Sequence, residues 1–367
     1  MKTRGFFISL TIMSILAVAW AAAAANNIVP AKGKPTVQPP SHTAWQERPI
    51  KLGTSGGSVT ELANGYCCSG TLGALVEDAS GTQYILSNTH VFAGDSALGG
   101  NGAVAEVGDA INQPGFVDIS CQNIPADYVA NLSDWMPMVP DGTTWVDAAI
   151  AEVIPGKVDP SGAILEIGTI AAQPVSAYVN QAVKKSGRTS GLTAGKVTAL
   201  NATISVGYET ECAGSPYVTT FTGQIVVSPG KFLKAGDSGS LMVENKAVNP
   251  GAVGLLYAGS SKVAIANPIQ DVLDALGVSM VGVQGAAAPV SQPLAAEIEN
   301  AGKVKERHGR QLVSLPDAVG HAVGVSKGKP VILLLVEKLS PAVQQAAPVS
   351  LDGVPVEILE VGRVVAY

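Results

Sequence analysis

The most constraining feature of this sequence is a succession of short apolar runs between residues 55 and 280, separated by Gly, Pro, Asp and Asn. Runs of a few residues with turn residues between them are typical of antiparallel barrels or sandwiches. Aromatic residues make up only 5% of the chain, so Val, Ile, Leu and Ala must form the core, and Val and Ile favour strands. The clearest runs are residues 70–76, 84–86, 146–153, 197–205, 224–227, 241–243 and 253–257.

One helix is predicted inside this β-rich region, over residues 268–276. Asn267 would be its N-cap, Pro268 its first residue, and Gly277 follows its end. Outside the region the composition changes. Residues 1–25 combine a basic start, a short apolar run and small residues, which together predict a secretory signal peptide. Residues 26–54 are rich in Pro and polar residues and predict a linker or a short pro-segment.

The domains expected from these changes are a β-rich domain at 55–282, a linker at 283–293 and a small α+β accessory domain at 294–367. In the accessory domain we predict a helix, two strands, a short helix and two further strands. Their approximate bounds are 294–310, 318–325, 330–337, 341–345, 354–359 and 362–366.

The net charge is −6, and it becomes more negative when the signal peptide with its two basic residues is removed. Binding to phosphates needs a basic face, so we expect no nucleic-acid partner. An uncleaved membrane anchor at the N-terminus is the alternative to a signal peptide, and no other stretch is long enough to span. We therefore expect an exported protein, periplasmic or extracellular, without stable membrane insertion after cleavage.

Four cysteines in an exported chain predict one or two disulfides, among Cys67, Cys68, Cys121 and Cys212. In an extended chain Cys67 and Cys68 point to opposite faces, so they need different partners, but the pairing stays open. Metal-site spacing such as CxxC is missing from the sequence, and we expect neither a metal nor a cofactor.

The strongest local motif is Gly-Asp-Ser-Gly-Ser at residues 236–240. A serine hydroxyl needs a base beside it and N–H donors aimed at the developing oxyanion. Glycine lets such a loop turn two amides inward, and we predict those of Gly236 and Ser238. The tetrapeptide also occurs in ordinary tight turns, so its partners decide the interpretation.

His90 is the one histidine within the β-rich region, because His42 precedes it in the Pro-rich segment and His308 and His321 follow the linker. It comes shortly after an apolar strand, where a rigid scaffold can present a base. The alternative is a hydrogen-bonded core histidine. His321 is predicted to be a strand residue and not a metal ligand.

The acid that orients the imidazole should be a poorly solvated carboxylate. Asp147 fits, because its neighbours are small or apolar and a buried acid must be paired. Asp109 and Asp118 are weaker alternatives, whereas Asp134 and Asp141 lie in polar, turn-like settings.

The order His90, Asp147, Ser238 is that of chymotrypsin-type enzymes and differs from the order in subtilisins and α/β-hydrolases. The α/β-hydrolase motif GxSxG would also need glycine where Ser240 stands.

These motifs resemble the trypsin-like serine peptidase superfamily over about residues 55–282, and within it a bacterial branch similar to the plant NARROW LEAF-type peptidases. The resemblance implies an all-β, chymotrypsin-like fold of two six-stranded antiparallel barrels, with the triad between them. His90 and Asp147 would come from the first barrel and Ser238 from the second. The matching segments are 73–76, 87–91, 146–150, 185–193, 236–240 and 266–269.

The resemblance also implies roles for the surroundings of Ser238. Bacterial relatives with a Gly-Arg-Thr-Thr-Gly-like motif use an arginine beside the aspartate that precedes the nucleophile, so Arg188 is predicted to pair with Asp237 and to organise the oxyanion loop. Phe232 would form the base of the specificity pocket, with Tyr257 and Gly259 in its wall. No acid is among them, which predicts a shallow apolar pocket without a strong Arg or Lys preference.

The function expected from the sequence is that of a serine endopeptidase acting on proteins or peptides through an acyl-enzyme at Ser238. The alternative is a catalytically silent, protease-shaped binding or scaffold protein. Residues 320–325 and 351–356 resemble modules that accompany such bacterial peptidases. The accessory domain could cover the crevice by an intramolecular contact, bind a partner or assist assembly, and a homo-oligomer is left open.

Overall fold

The structure is a computed structural model and describes residues 40–60, 62–63, 66–94, 105–208, 216–285 and 294–367. The predicted signal peptide, the first part of the predicted pro-segment and most of the predicted 283–293 linker lie outside the described residues. Residues 40–367 belong to one compact unit.

The first barrel is a ring of antiparallel strands. The elements in this part of the chain are β1 Thr54–Ser58, β2 Leu62–Ala63, β3 Tyr66–Cys67, β4 Gly70–Leu72, β5 Ala74–Glu77, β6 Gln83–Ser87, α1 Thr89–Phe92, β7 Ala110–Asn112, β8 Tyr128–Trp135, β9 Thr143–Thr144 and β10 Ala149–Val153, with 3-10 turns at Phe116–Ile119 and Pro125–Asp127. Strand β1 pairs with β7, then β8, β10 and β6 follow, and the β5 and β4 segments return to β1. β4 and β5 act as one strand interrupted at Gly73, where an added Cβ would lie 1.9 Å from the Gly239 oxygen.

The second barrel is also a closed ring of six strands, in the order β11, β12, β13, β16, β15, β14 and back to β11. These strands are β11 Ala182–Gly187, β12 Gly191–Tyr208, β13 Tyr217–Ser228, β14 Leu241–Glu244, β15 Ala252–Gly259 and β16 Ala264–Pro268, with a 3-10 turn at Gly230–Phe232. The predicted chymotrypsin-like double barrel is therefore confirmed. Helix α2, Ile269–Leu276, and strand β17, Ser279–Met280, follow, and β17 pairs with β5.

Helix α2 ends at Gly277 in the left-handed region (φ +66°), as predicted, but its N-cap is Pro268. The predicted cap, Asn267, lies in β16 and is fully buried, and its amide bonds the main chain of Asp147 instead. The capping prediction was wrong because the Asn267 side chain is engaged with the buried main-chain N–H and C=O groups of Asp147.

The C-terminal region has the predicted α+β order and continues the second sheet. β12 has 18 residues, and the short β11 leaves part of its edge open. β18 pairs with that edge, at Ala199–Ile204. An unpaired edge presents free N–H and C=O groups, which explains the extension. The elements are α3 Ala295–Arg307, α4 Gly309–Val313, β18 Ala318–Ser326, β19 Lys329–Val336, α5 Pro341–Ala346, β20 Ser350–Leu351, β21 Val354–Glu360 and β22 Val365–Ala366.

The predicted pro-segment is packed in its described part, contrary to expectation. Ile50 and Leu52 are fully buried in the first core, and β1 begins within the segment, at Thr54. His42 is buried too: Nδ1 lies 2.7 Å from the Gly53 oxygen and Nε2 lies 2.8 Å from Glu166. Proline content alone could not reveal these buried contacts.

A disulfide joins Cys67 to Cys121, with a Cα–Cα distance of 5.7 Å. It ties the end of β3 to the chain just after the 3-10 turn at Phe116–Ile119. Cys212 lies outside the described residues. In the part of the chain that the structure describes, no helix is long and apolar enough to cross a membrane.

Candidate active site

The first barrel brings His90 and Asp147 together. His90 lies in α1, just after β6, and Asp147 lies just before β10, the strand that pairs with β6. His90 Nδ1 donates to Asp147 Oδ2 at 2.5 Å, and the His90 main-chain N–H lies 3.3 Å from Oδ1. The carboxylate is fully buried and the imidazole is 10% exposed. This contact orients the ring and leaves Nε2 toward the cleft.

Three polar side chains hold the acid. The Tyr208 hydroxyl donates to Asp147 Oδ2 at 2.9 Å. The Asn88 amide donates to the Asp147 oxygen at 2.7 Å, and Asn267 binds both the N–H and the oxygen of the same residue. Because Tyr208 and Asn267 belong to the second barrel, the two barrels together fix the position of one carboxylate.

Burial and the charge of Asp147 shift the pKa values of His90 and Tyr208. Burial by itself lowers the pKa of His90, but the charge of Asp147, its hydrogen bond and the main-chain oxygen of Tyr367 together raise it above the ordinary value. Burial, and then the charge of Asp147, raise the pKa of Tyr208 well above its ordinary value. The Tyr208 hydroxyl therefore keeps its proton and remains a donor.

Ser238 lies in the tight turn before β14 and is fully buried. Its hydroxyl donates to the Tyr257 oxygen at 3.0 Å. Gly236 has φ +90°, and an added Cβ would meet Arg188 at 2.6 Å, so only glycine fits there. Within the described residues, neither the Gly236 nor the Ser238 amide has an intramolecular acceptor, which leaves both free for an anion.

The helix with His90 and the turn with Ser238 meet at β4. The Thr71 N–H donates to the Ser238 oxygen at 2.8 Å. At Gly70, an added Cβ would lie 2.6 Å from Val91 and 3.1 Å from the same Ser238 oxygen. Among the described residues, however, the His90 ring has no hydrogen bond to the Ser238 hydroxyl. Its Nε2 lies 3.2 Å from the main-chain oxygen of Tyr367.

Asp237 is held in a buried pocket by a cation that the sequence did not predict. Lys185 Nζ lies 3.0 Å from Asp237 Oδ2, and both side chains are fully buried. The carboxylate also accepts from the N–H groups of Thr189, Ser190 and Lys234 and from the Ser190 hydroxyl. Burial lowers the pKa of Lys185, and the charge of Asp237 opposes that effect.

Arg188 does not pair with Asp237 as predicted. Its guanidinium binds Asp118 through two bonds, Nε to Oδ2 at 2.8 Å and Nη2 to Oδ1 at 2.7 Å. Lys185 takes the place beside Asp237, because β11 turns that side chain into the barrel. Arg188 still contacts the oxyanion loop, through its approach to Gly236. Asp118, a weaker candidate for the catalytic acid, is the partner of this arginine.

Residues 144–267 match the family model of the Nal1 C-terminal domain. This match confirms the resemblance to the NARROW LEAF-type peptidases that the motifs indicated. The matched segment includes Asp147, Arg188 and Ser238, and His90 lies before it. Among curated proteins, none matches this sequence.

The solved structures that are similar to this chain include the following three proteases. One, described as a glutamic acid-specific serine protease that uses a histidine triad in substrate binding, is 19% identical, with a TM-score of 0.41, and the match covers 63% of this chain and 100% of that one. For Thermobifida fusca Protease A the identity is 15%, the TM-score 0.39 and the coverage 64% and 99%. For the Nocardiopsis protease NAPase the values are 16%, 0.41, 63% and 98%. Likenesses at this level assign neither activity nor substrate to this chain.

Of the three predicted pocket residues, Gly259 lies directly against the side chain of Tyr367. At Gly259, an added Cβ would lie 3.1 Å from Cε2 of the Tyr367 ring. Phe232 is fully buried in the core cluster against which this ring packs. Tyr257 is fully buried and accepts the Ser238 hydroxyl through its main-chain oxygen.

Sequence reasoning missed Tyr208, Lys185, Asn267 and Tyr367. The sequence does place Lys185 next to the Ser-Gly-Arg-Thr-Ser-Gly motif, and strand alternation could have indicated that it faces inward. Tyr208 ends a long strand and carries no local signal for its contact with Asp147.

Proposed function

We propose that this protein is a serine endopeptidase in which Ser238 is the nucleophile, His90 the base and Asp147 the orienting acid. The observation that supports this best is the hydrogen bond between His90 Nδ1 and the buried carboxylate of Asp147. Groups from both barrels hold Asp147 in this position. A core histidine would not need an acid fixed from two sides while its second nitrogen stays at a cleft.

The proposed reaction has two halves. Rotation of Ser238 about its Cα–Cβ bond brings the hydroxyl from Tyr257 to His90 once the cleft is open. The Ser238 oxygen then bonds to the substrate carbonyl carbon, its proton passes to His90 Nε2 and on to the leaving amine, and the C–N bond breaks. Water next attacks the ester and gives its proton to His90, so that the carboxylic acid leaves and Ser238 is regenerated.

The two free amides supply the electrostatic part of this mechanism. The N–H groups of Gly236 and Ser238 would stabilise the negative oxygen of each tetrahedral intermediate. Lys185 and Asp237 act as positioning residues, since their buried ion pair fixes the turn that carries both amides. The pair contacts neither the substrate nor the reacting atoms.

The test is peptide hydrolysis by the purified chain and by Ser238→Ala and His90→Ala. Residues that act as a unit lose nearly all catalysis singly, so each change should reduce turnover by about 10⁶-fold. Ser261→Ala is the matched control, because this exposed serine lies in the same barrel. Turnover that survives Ser238→Ala at the level of Ser261→Ala would contradict the proposal.

A binding role without catalysis is the second candidate. It is favoured by one observation: Ser238 and His90 are bonded to Tyr257 and Tyr367 and not to each other. Catalytic contacts are often loose in unliganded enzymes, so this arrangement does not decide between the roles. If the chain without residues 365–367 bound peptides but hydrolysed none, its role would be binding.

The disulfide between Cys67 and Cys121 supports the predicted export of the chain, because such bonds persist in oxidising compartments. Periplasmic or extracellular location remains part of the proposal.

A further inference from the structure

The last residues of this sequence lie in the cleft between the barrels. β22 pairs antiparallel with the end of β15, Ala366 opposite Ala258 and Val365 opposite Gly259. On its other side Val365 pairs with Gly207 of β12. The cleft is thus filled by a strand of the chain itself, added to two exposed edges.

Two contacts give this strand the register of a peptide bound at a nucleophilic site. The Tyr367 N–H donates to the Tyr257 oxygen at 3.3 Å, the same oxygen that accepts the Ser238 hydroxyl. The main-chain oxygen of Tyr367 lies 3.2 Å from Nε2 of His90. A strand that merely extended a sheet would have no reason to present a main-chain oxygen to the base.

The side chain of Tyr367 marks the pocket beside this register. Its ring packs against the second-barrel core cluster that contains Phe232 and lies against Gly259. Burial raises the pKa of the Tyr367 phenol, as expected for a ring withdrawn from water. The described residues offer no hydrogen-bond partner to the phenol oxygen, so the ring is held by apolar contact.

We infer that residues Val365–Tyr367 are an intramolecular peptide ligand that blocks the site, and that the site takes peptides with an aromatic residue at the position of Tyr367. The substrate class rests on the proposed function, whereas the docking of the segment does not. In this state His90 faces an oxygen at each nitrogen, and Ser238 is turned away from it, so neither can start the reaction.

Residues 365–367 can leave the site and return, because the contacts that attach this part of the chain to the barrel are made by the residues that precede them. Val361 and Val364 are buried, and the Ser260 hydroxyl donates to the Val361 oxygen. Release of the last three residues leaves these contacts in place. A tethered ligand acts at an effective concentration of the order of millimolar. An activation of about tenfold on release would then match a free-peptide dissociation constant of about 0.1 mM.

Docking is tested by binding, without catalysis. The probe is a peptide with the sequence of residues 365–367, fluorescently labelled at its amino end, and the proteins are Ser238→Ala chains with and without residues 365–367. The peptide should bind the shortened chain at least tenfold more tightly than the full chain. Equal binding to both would overturn the inference, because the site would then lie elsewhere.

Substrate class and blocking are tested by hydrolysis. Deletion of residues 365–367 and Tyr367→Ala should each raise turnover severalfold, and the control Val349→Ala, at a side chain that is 87% exposed, should leave it unchanged. The kcat/KM for peptides with Tyr or Phe before the cleaved bond should exceed that for peptides with Ala there by at least about tenfold. A preference for Lys, Arg or Glu at that position, or no activation by the deletion, would overturn the inference. Peptide binding with no hydrolysis by any chain would instead sustain docking and contradict the proposed function.

Discussion

Replacement of Lys185 by methionine should test how the nucleophile turn is held. The structure gives Lys185 Nζ three partners: Asp237 at 3.0 Å, the Ser190 hydroxyl at 2.6 Å and the Gly191 oxygen at 3.0 Å. Methionine fills a similar volume but leaves the carboxylate buried and without its cation. Loss of one partner from such a pair costs about 3–5 kcal/mol. The four remaining donors to Asp237 place the expected value near the lower end, about 3 kcal/mol.

The matched control is Lys184→Met, on the same strand and the opposite face. Lys184 is partly exposed, and its ammonium donates to the Lys246 oxygen at 2.6 Å, so we expect a loss of about 1 kcal/mol. Urea unfolding followed by tryptophan fluorescence measures both variants. Adding Asp237→Asn to Lys185→Met should recover at least about 1 kcal/mol, since the uncompensated charge is then gone. Equal free energies of unfolding for the two methionine variants would refute the reasoning.

Three further predictions concern the site. Tyr208→Phe should reduce turnover and leave KM nearly unchanged, because one bond to the buried Asp147 carboxylate, worth about 1.5–3 kcal/mol, is lost; an unchanged pH-rate profile and turnover would contradict this. Docking of residues 365–367 places acceptors at both nitrogens of His90 and so favours the protonated ring. Blocking should be strongest below the pKa of the imidazole in the open chain and should weaken as pH rises through the raised pKa of the docked state, seen as a falling activation ratio of the shortened chain. Gly236→Ala in the shortened chain should abolish hydrolysis while the peptide of residues 365–367 still binds, since φ +90° at Gly236 excludes a side chain; full activity would show that the turn relaxes at no cost.

The short runs of Val, Ile and Leu between turn residues predicted an antiparallel barrel or sandwich, and the family resemblance implied the double barrel, which the structure confirms. The first barrel closes around Gly73, because β4 before it pairs with β1 and β5 after it pairs with β6, and no periodicity reports this change of partner. The C-terminal elements were predicted to within a few residues, yet their attachment to β12 was not. That attachment depends on the unequal lengths of β11 and β12, which a pattern of apolar residues does not reveal.

The site residues that few side chains in the sequence could supply were predicted, and those whose role depends on three-dimensional position were missed. One imidazole and one apolar-flanked acid in the barrel region led to His90 and Asp147, and the structure brings these two side chains together. Arg188 was chosen for Asp237 on a motif, but the cation that reaches a buried carboxylate depends on which strand face it occupies. Tyr367 could not be predicted, since nothing local links the last residue of the sequence to a base 277 positions earlier.

The most direct measurement is fluorophosphonate labelling of the chain without residues 365–367, followed by mass spectrometry to locate the adduct. The predicted result is one adduct on Ser238 that forms faster than in the full-length chain and fails to form in His90→Ala. Labelling that is absent from Ser238, or that proceeds equally well without the imidazole, would contradict the assignment of these residues as nucleophile and base.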